Sequence, residues 1–293
     1  MKFSPSSASG GLIAIGLLAL APSARSAVAV EYFNDYGTTS PTGLVSGGLN
    51  GGSGWSGAWQ GGASNSYFQA ANPTYSGTGY SDTGNDNGAD DGVARGSSTS
   101  SIAYRNLADG GMGGTIWLSA IVNQTASGDM LLWLDKTNTT ASGVDRDFVA
   151  LRGSTGTSPA GDNTPEAVMS YNGGTDLTSS TVNFAAGTHL FLVRIDMNYS
   201  AALDRVSFWI NPDLTGGEAG IGTAIYTAGT LDTFGTVFDG IGISSDGTQS
   251  TIDAIRISNE SNGFNFVTTG IPEPSLSLLL LASGAVSVFR RRR

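Results

Sequence analysis

Along the middle of the chain, apolar residues alternate with polar ones or cluster over a few positions, and Gly, Asn, Asp or Pro bounds each run. The runs are Thr115–Val122, Met130–Leu134, Phe148–Leu151, Ala167–Tyr171, Leu190–Met197, Arg205–Ile210, Val237–Ile243 and Ile252–Ile257. Period two is clearest in Phe191-Leu192-Val193-Arg194-Ile195-Asp196 and in Arg205-Val206-Ser207-Phe208-Trp209-Ile210, where charged and apolar residues interleave. Successive side chains of a strand point to opposite faces, so this pattern predicts antiparallel strands with one wet face. Asn198 to Asp204 reads as the connection between these two strands, and Asn211-Pro212-Asp213 as the stop of the second. No helical stretch of comparable length lies between the two ends of the chain. Many short strands without helices predict an all-β fold, an antiparallel two-sheet sandwich, and the lack of a blade-length repeat argues against a propeller. Ser76 to Ser101 is nearly devoid of large apolar residues and reads as a long exposed loop.

The ends follow a different pattern. Gly11 to Ala21 is an unbroken small-and-apolar run preceded by Lys2, too short to span a bilayer. Pro22 and then Ala27-Val28-Ala29 follow, and a signal peptidase reading this A-x-A would cut after Ala29; Ala24 and Ser26 offer a nearly equal site after Ser26. A signal peptide over residues 1–29 is expected. The C-terminus carries Pro272-Glu273-Pro274, then apolar Leu276 to Phe289, then Arg290, Arg291, Arg292 and Arg293. As a helix the apolar part reaches about 20 Å, short of the ~30 Å hydrocarbon core, and the Arg side chains snorkel to make up the difference. Positive charge stays on the cytoplasmic side, so this transmembrane helix has its N-terminus outside. The expected organisation is a signal peptide, a body over residues 30–268 and a sorting segment over residues 271–293.

Charge and cysteine usage narrow the partners. Lys2, Arg25 and the four terminal arginines make up six of the 14 basic residues, so eight basic residues face 24 acidic ones in the processed chain, a net of −16 counting Glu273. Such a body repels phosphate backbones, which excludes nucleic acid as a natural partner. The absence of Cys excludes disulfides and thiol chemistry.

Pro272-Glu273-Pro274, the single short hydrophobic segment and the Arg cluster together resemble the PEP-CTERM sorting signal. Membership implies recognition of the tripeptide by exosortase, with the helix as a temporary hold, in the envelope or extracellular matrix of a Gram-negative-type bacterium. Proline resists helix and lacks an N–H, which keeps the tripeptide extended and accessible at the membrane surface. The body resembles the concanavalin A-like or LamG-like jelly-roll modules found with this tail. The residues that carry this are Glu31-Tyr32-Phe33-Asn34-Asp35-Tyr36, Gly52-Ser53-Gly54-Trp55-Ser56-Gly57-Ala58-Trp59, Gly114-Thr115-Ile116-Trp117-Leu118-Ser119, Val193-Arg194-Ile195-Asp196, Trp209-Ile210-Asn211-Pro212 and Ile252-Asp253-Ala254-Ile255-Arg256-Ile257. The resemblance implies a fold rather than an activity, since this fold hosts lectins, glycanases and scaffolds.

Catalytic chemistry finds little material. A retaining glycanase needs two carboxylates about 5 Å apart, commonly set on one strand in this fold as Glu-x-Asp-x-x-Glu. No such motif is present, and Glu occurs only at 31, 166, 218, 260 and 273. The single histidine, His189, opens a strand, and no Gly-x-Ser-x-Gly supplies a serine to partner it. One His and no Cys also argue against zinc. Asp82, Asn85, Asp86, Asn87, Asp90 and Asp91 form a run of hard oxygen donors interspersed with glycine, which suits calcium. It is no EF-hand, because aligning Gly88 at the sixth position puts Thr83 first and Ala94 twelfth, where acids belong. Trp55 and Trp59 read as core, whereas Tyr75 and Tyr80 lie among turn residues and are candidates for stacking on sugar rings. The expectation is a non-enzymatic surface protein of structural or adhesive type, with a carbohydrate-binding module as one alternative and, as another, a glycan hydrolase that brings two of Glu31, Glu166, Glu218 or nearby Asp residues together in a groove.

Overall fold

The computed structural model describes residues 28–33, 50–61, 67–70, 73–81, 92–95, 103–124, 129–135, 146–153, 165–171, 175–183, 185–200, 203–231, 237–246 and 250–270. Ala27, the Asp82–Asp91 run, the Pro272-Glu273-Pro274 tripeptide, the expected transmembrane helix and the arginine tail lie outside these. Among the described residues no helix is long and apolar enough to cross a membrane.

Strands in chain order are β1 (Val28–Glu31), β2 (Gln60–Gly61), β3 (Tyr67–Ala70), β4 (Gly92–Arg95), β5 (Ala103–Asn106), β6 (Thr115–Gln124), β7 (Asp129–Asp135), β8 (Arg146–Gly153), β9 (Pro165–Tyr171), β10 (Thr175–Asn183), β11 (Gly187–Ser200), β12 (Leu203–Ile210), β13 (Tyr226–Leu231), β14 (Gly240–Asp246) and β15 (Thr251–Ser258). One helix, α1 (Gly263–Thr269), follows. The first sheet runs β13-β12-β11-β6-β15-β4-β3, with β1 also paired to β15; the second runs β10-β9-β8-β7-β14-β5-β2. Every pairing is antiparallel.

Period two decides which residues meet between the sheets. Ile116, Leu118, Ala120 and Val122 of β6 and Phe191, Val193 and Ile195 of β11 face Leu132 and Leu134 of β7 and Ile241 and Ile243 of β14, all buried in one cluster. The antiparallel two-sheet sandwich expected from the pattern is therefore present, and each of the eight predicted runs overlaps a strand.

Four details differ. β4 lies inside the segment expected to be an exposed loop; a four-residue Gly-Val-Ala-Arg stretch is too short to show alternation, and its strand character comes from pairing with β3 and β15. The β11–β12 connection is shorter than expected, because β11 continues to Ser200 and β12 starts at Leu203. β10 and β13, rich in Thr, Ser and Gly, carry no apolar alternation to announce them. Finally, the outer face of the first sheet is largely covered: α1 and the 211–225 segment bury Trp117, Leu190, Leu192 and Trp209 in a second cluster with Phe264, Val267, Leu214 and Ile221. The sequence foreshadows this, since Leu190-Phe191-Leu192-Val193 is apolar on both faces and turns polar only at Arg194. α1 ends at Gly270, whose φ of 71° closes a left-handed cap with its N–H donating to the Phe266 carbonyl.

Candidate functional site

Outward-facing residues of the first sheet are set by alternation: Trp117 on β6, Arg194 and Asp196 on β11, Arg205 and Trp209 on β12. Trp117 stacks on Trp209 with centroids 5.8 Å apart, and Phe264 of α1 packs edge-on against Trp117 at 5.1 Å. Two openings lie beside the residues of this cover.

The larger opening, about 550 Å³, is lined by Gly113, Thr115, Trp117, Arg194, Glu218, Asn259 and Glu260. Arg194 crosses its wall above the Trp117 ring, 5.5 Å from the centroid. Its Nη1 donates to Glu218 at 2.9 Å and its Nε to Asp196 at 2.8 Å. Thr115 Oγ1 donates to that same Asp196 oxygen at 3.0 Å, and Arg205 donates to the other one from Nε and Nη2, at 3.0 and 2.6 Å. Burial pushes the Asp196 carboxyl up, but the bonds from Arg205, Arg194 and Thr115 outweigh it and hold the group below its ordinary value. Two carboxylates distant in sequence, Glu218 and Glu260, thus share a cleft with an aromatic floor.

The smaller opening, about 280 Å³, is lined by Tyr75, Thr78, Asn211, Pro212, Asp213 and Thr215. Tyr75 is half-buried, and burial raises its phenol above the usual range. Asp213 Oδ1 accepts from Thr215 N–H at 2.9 Å and Thr215 Oγ1 at 2.7 Å, which fixes an exposed carboxylate beside the ring and lowers its pKa. Behind it, Asn211 Oδ1 accepts from Leu190 N–H at 2.9 Å, and Asn211 Nδ2 lies 2.9 Å from His189 Nδ1. The other ring nitrogen, Nε2, lies 2.8 Å from the Ala185 carbonyl. Since that carbonyl only accepts, Nε2 carries the proton and Nδ1 accepts from Asn211. Burial lowers the His189 pKa despite the Ala185 bond. His189 therefore braces a turn.

The two tyrosines expected to stack on sugars meet each other, edge to face at 5.7 Å. Tyr75 lines the smaller opening. Tyr80 lies against the guanidinium of Arg256, 5.1 Å away, whose Nη1 also donates to Ser81 O at 2.9 Å. Trp59 is core, and Trp55 is partly buried against it. Ala29 is fully buried within β1. Among the described residues no three His, Cys, Asp or Glu side chains cluster to hold a metal. Sequence reading offered Glu218 as a hydrolase carboxylate, and it does line the cleft, whereas Glu31 is buried against Arg105; it assigned no site role to Asn259, Glu260, Asp213 or Thr215, because each is brought in by a loop whose position depends on the outer cluster. The one available signal was Asn211-Pro212-Asp213, a strand stop whose polar side chains had to point somewhere.

No protein-family model matches the chain, and no curated protein does. Among solved structures it is similar to the carbohydrate recognition domain of Emp47p, at 10% identity over 68% of this chain and 86% of that one, with a TM-score of 0.38. It is also similar to peanut lectin with a 9mer peptide, at 11% identity over 67% and 98% with a TM-score of 0.37. A third is the VIP36 exoplasmic/lumenal domain in its Ca²⁺/Man₃GlcNAc-bound form, at 12% identity over 57% and 79% with a TM-score of 0.38.

Proposed function

We propose that this is an exported surface protein whose sandwich adheres to polysaccharide without cleaving it, through the depression beside Tyr75. One observation carries the reading: a half-buried aromatic ring shares an opening with a carboxylate held in place by Thr215. A pyranose has an apolar C–H face that packs on such a ring and hydroxyls that donate to such a carboxylate. A shallow opening of this size takes one sugar unit, so useful affinity comes from many copies along a polymer. Export rests on the apolar run ahead of Ala27-Val28-Ala29, and delivery to the envelope on Pro272-Glu273-Pro274, the apolar segment and the arginine tail. Exosortase and signal peptidase are the partners this implies.

The test is retardation of the purified protein in gels cast with bacterial polysaccharides. Tyr75→Ala is expected to weaken binding by about tenfold, the value of one aromatic contact. Unchanged retardation in that variant, or none with the parent on any polysaccharide, refutes the reading. Calcium belongs to it through the oxygen donors of Asp82 to Asp91, and titration calorimetry with Ca²⁺ checks that part.

The larger cleft supports a second reading, glycan hydrolysis, because Glu218 and Glu260 both line it. Against it, Glu218 is already engaged by Arg194. Release of reducing ends that disappears in both Glu218→Gln and Glu260→Gln would establish this alternative.

A further inference from the structure

β1 is held from every side. Its register with β15 is Val28↔Ser258, Ala29↔Ile257, Val30↔Arg256 and Glu31↔Ile255. On its other edge, Val30 N–H donates to the Ser53 carbonyl and Ser53 N–H to the Val30 carbonyl, both at 3.0 Å, and Trp55 Nε1 donates to the same Val30 carbonyl at 2.8 Å. Ala29 exposes nothing and belongs to the main core, while Val28 packs against the outer cluster. Gly54, at φ +82°, lies so near that a Cβ on it would sit 2.1 Å from the Val28 carbonyl oxygen and 2.6 Å from Ala29 Cα. The chain around Gly54 is shaped to the backbone of Val28 and Ala29, so these two residues are built into the folded body.

Cleavage after Ala29 would divide this strand between two paired residues. It would empty a fully buried slot, and it would turn the Val30 N–H that Ser53 accepts into a charged ammonium within the sheet. The remaining Val30 and Glu31 would be the whole of β1. Cleavage after Ser26 uses the small residues Ala24 and Ser26, leaves Ala27 as a single residue ahead of the strand, and keeps all four paired positions.

We infer that the export signal is removed between Ser26 and Ala27, so that the mature chain begins Ala27-Val28-Ala29-Val30. Water hydrolyses the Ser26–Ala27 amide, leaving a carboxylate on Ser26 and a free amine on Ala27. This rests on the export reading above and adds to it where the cut falls.

The experiment is expression of the full chain in a Gram-negative host, recovery of the exported protein, and Edman sequencing with intact mass. Ala27 as the first residue is the expected result. A product beginning at Val30, or at any other new terminus, overturns the inference and leaves export standing. A chain that keeps Met1 overturns the export reading and the inference with it.

Discussion

Glu31 and Arg105 place two opposite charges inside the sandwich, each about 1% exposed. Taking both out of water costs several kcal/mol per ion, and the arrangement holds only because their hydrogen-bonding positions find partners. Glu31 accepts from Phe33 N–H at 3.0 Å, from Trp59 Nε1 at 3.2 Å and from Arg105 Nη1. Arg105 further donates to Gly57 O at 2.8 Å and Asn50 Oδ1 at 2.7 Å, with its guanidinium 5.1 Å from the Trp55 ring. Replacing only the carboxylate removes the negative charge that Glu31 sets directly against a buried cation. Glu31→Gln is therefore expected to cost about 3–5 kcal/mol in urea unfolding, and Arg105→Met added to it to recover part of the loss. A cost below about 1 kcal/mol would contradict this account. None of it was legible in the sequence: the pair is separated by 74 positions, and Arg105 interrupts a short strand whose neighbours give no sign of an acid opposite.

The elements that could be read are those whose faces differ. β6, β11 and β12 were recognisable because one face had to be apolar throughout, and their predicted limits fall within a few residues of the observed ones. β15 shows how far the pattern reaches. Its buried apolar residues Ile252, Ile255 and Ile257 are spaced by three and then two, and the register with β6 slips between Asp253 and Arg256. The extra residue is Ala254, at φ 48°, fully buried, with its N–H donating to Asp253 Oδ1 at 2.6 Å. The broken period was visible in the sequence, whereas the left-handed backbone behind it was not. That conformation costs an L-residue roughly 1–2 kcal/mol, which glycine avoids while giving up about 0.5–1 kcal/mol in chain entropy. With the lost methyl included, Ala254→Gly is expected to stay within about 1 kcal/mol of the parent. Ala120→Gly, in the regular part of β6 and equally buried, lacks any strain to release and is expected to cost roughly 1.5–2 kcal/mol. Equal urea midpoints for the two variants would mean that the bulge stores no strain. β10 and β13 stayed hidden for the opposite reason, since their polar composition carries no face to detect.

For the molecule as a whole, acidity and internal bracing act in opposite directions as pH falls. Most of its 24 acidic residues repel one another at neutral pH, so protonating them relieves strain that a simple melting curve mixes with everything else. His189 and Asp196 are separable from that background by difference. His189 is lowered from its ordinary 6.5, so between that value and its folded pKa the unfolded chain takes up a proton that the folded one refuses. Its stabilisation is complete above pH 6.5 and declines as pH drops below it. Asp196 is lowered from its ordinary 3.8, so its contribution is complete above that value and is lost as pH falls through the folded pKa. The stability gap between parent and His189→Gln is accordingly expected to narrow from pH 7.5 to 5, in the same buffers where the gap to Asp196→Asn stays constant and narrows only below pH 3.8. Because each variant shares the parent's remaining carboxylates, the bulk repulsion cancels in both differences. Gaps that do not change with pH would mean that the turn beneath Tyr75 and the ion-paired wall of the larger cleft are not braced by these two groups.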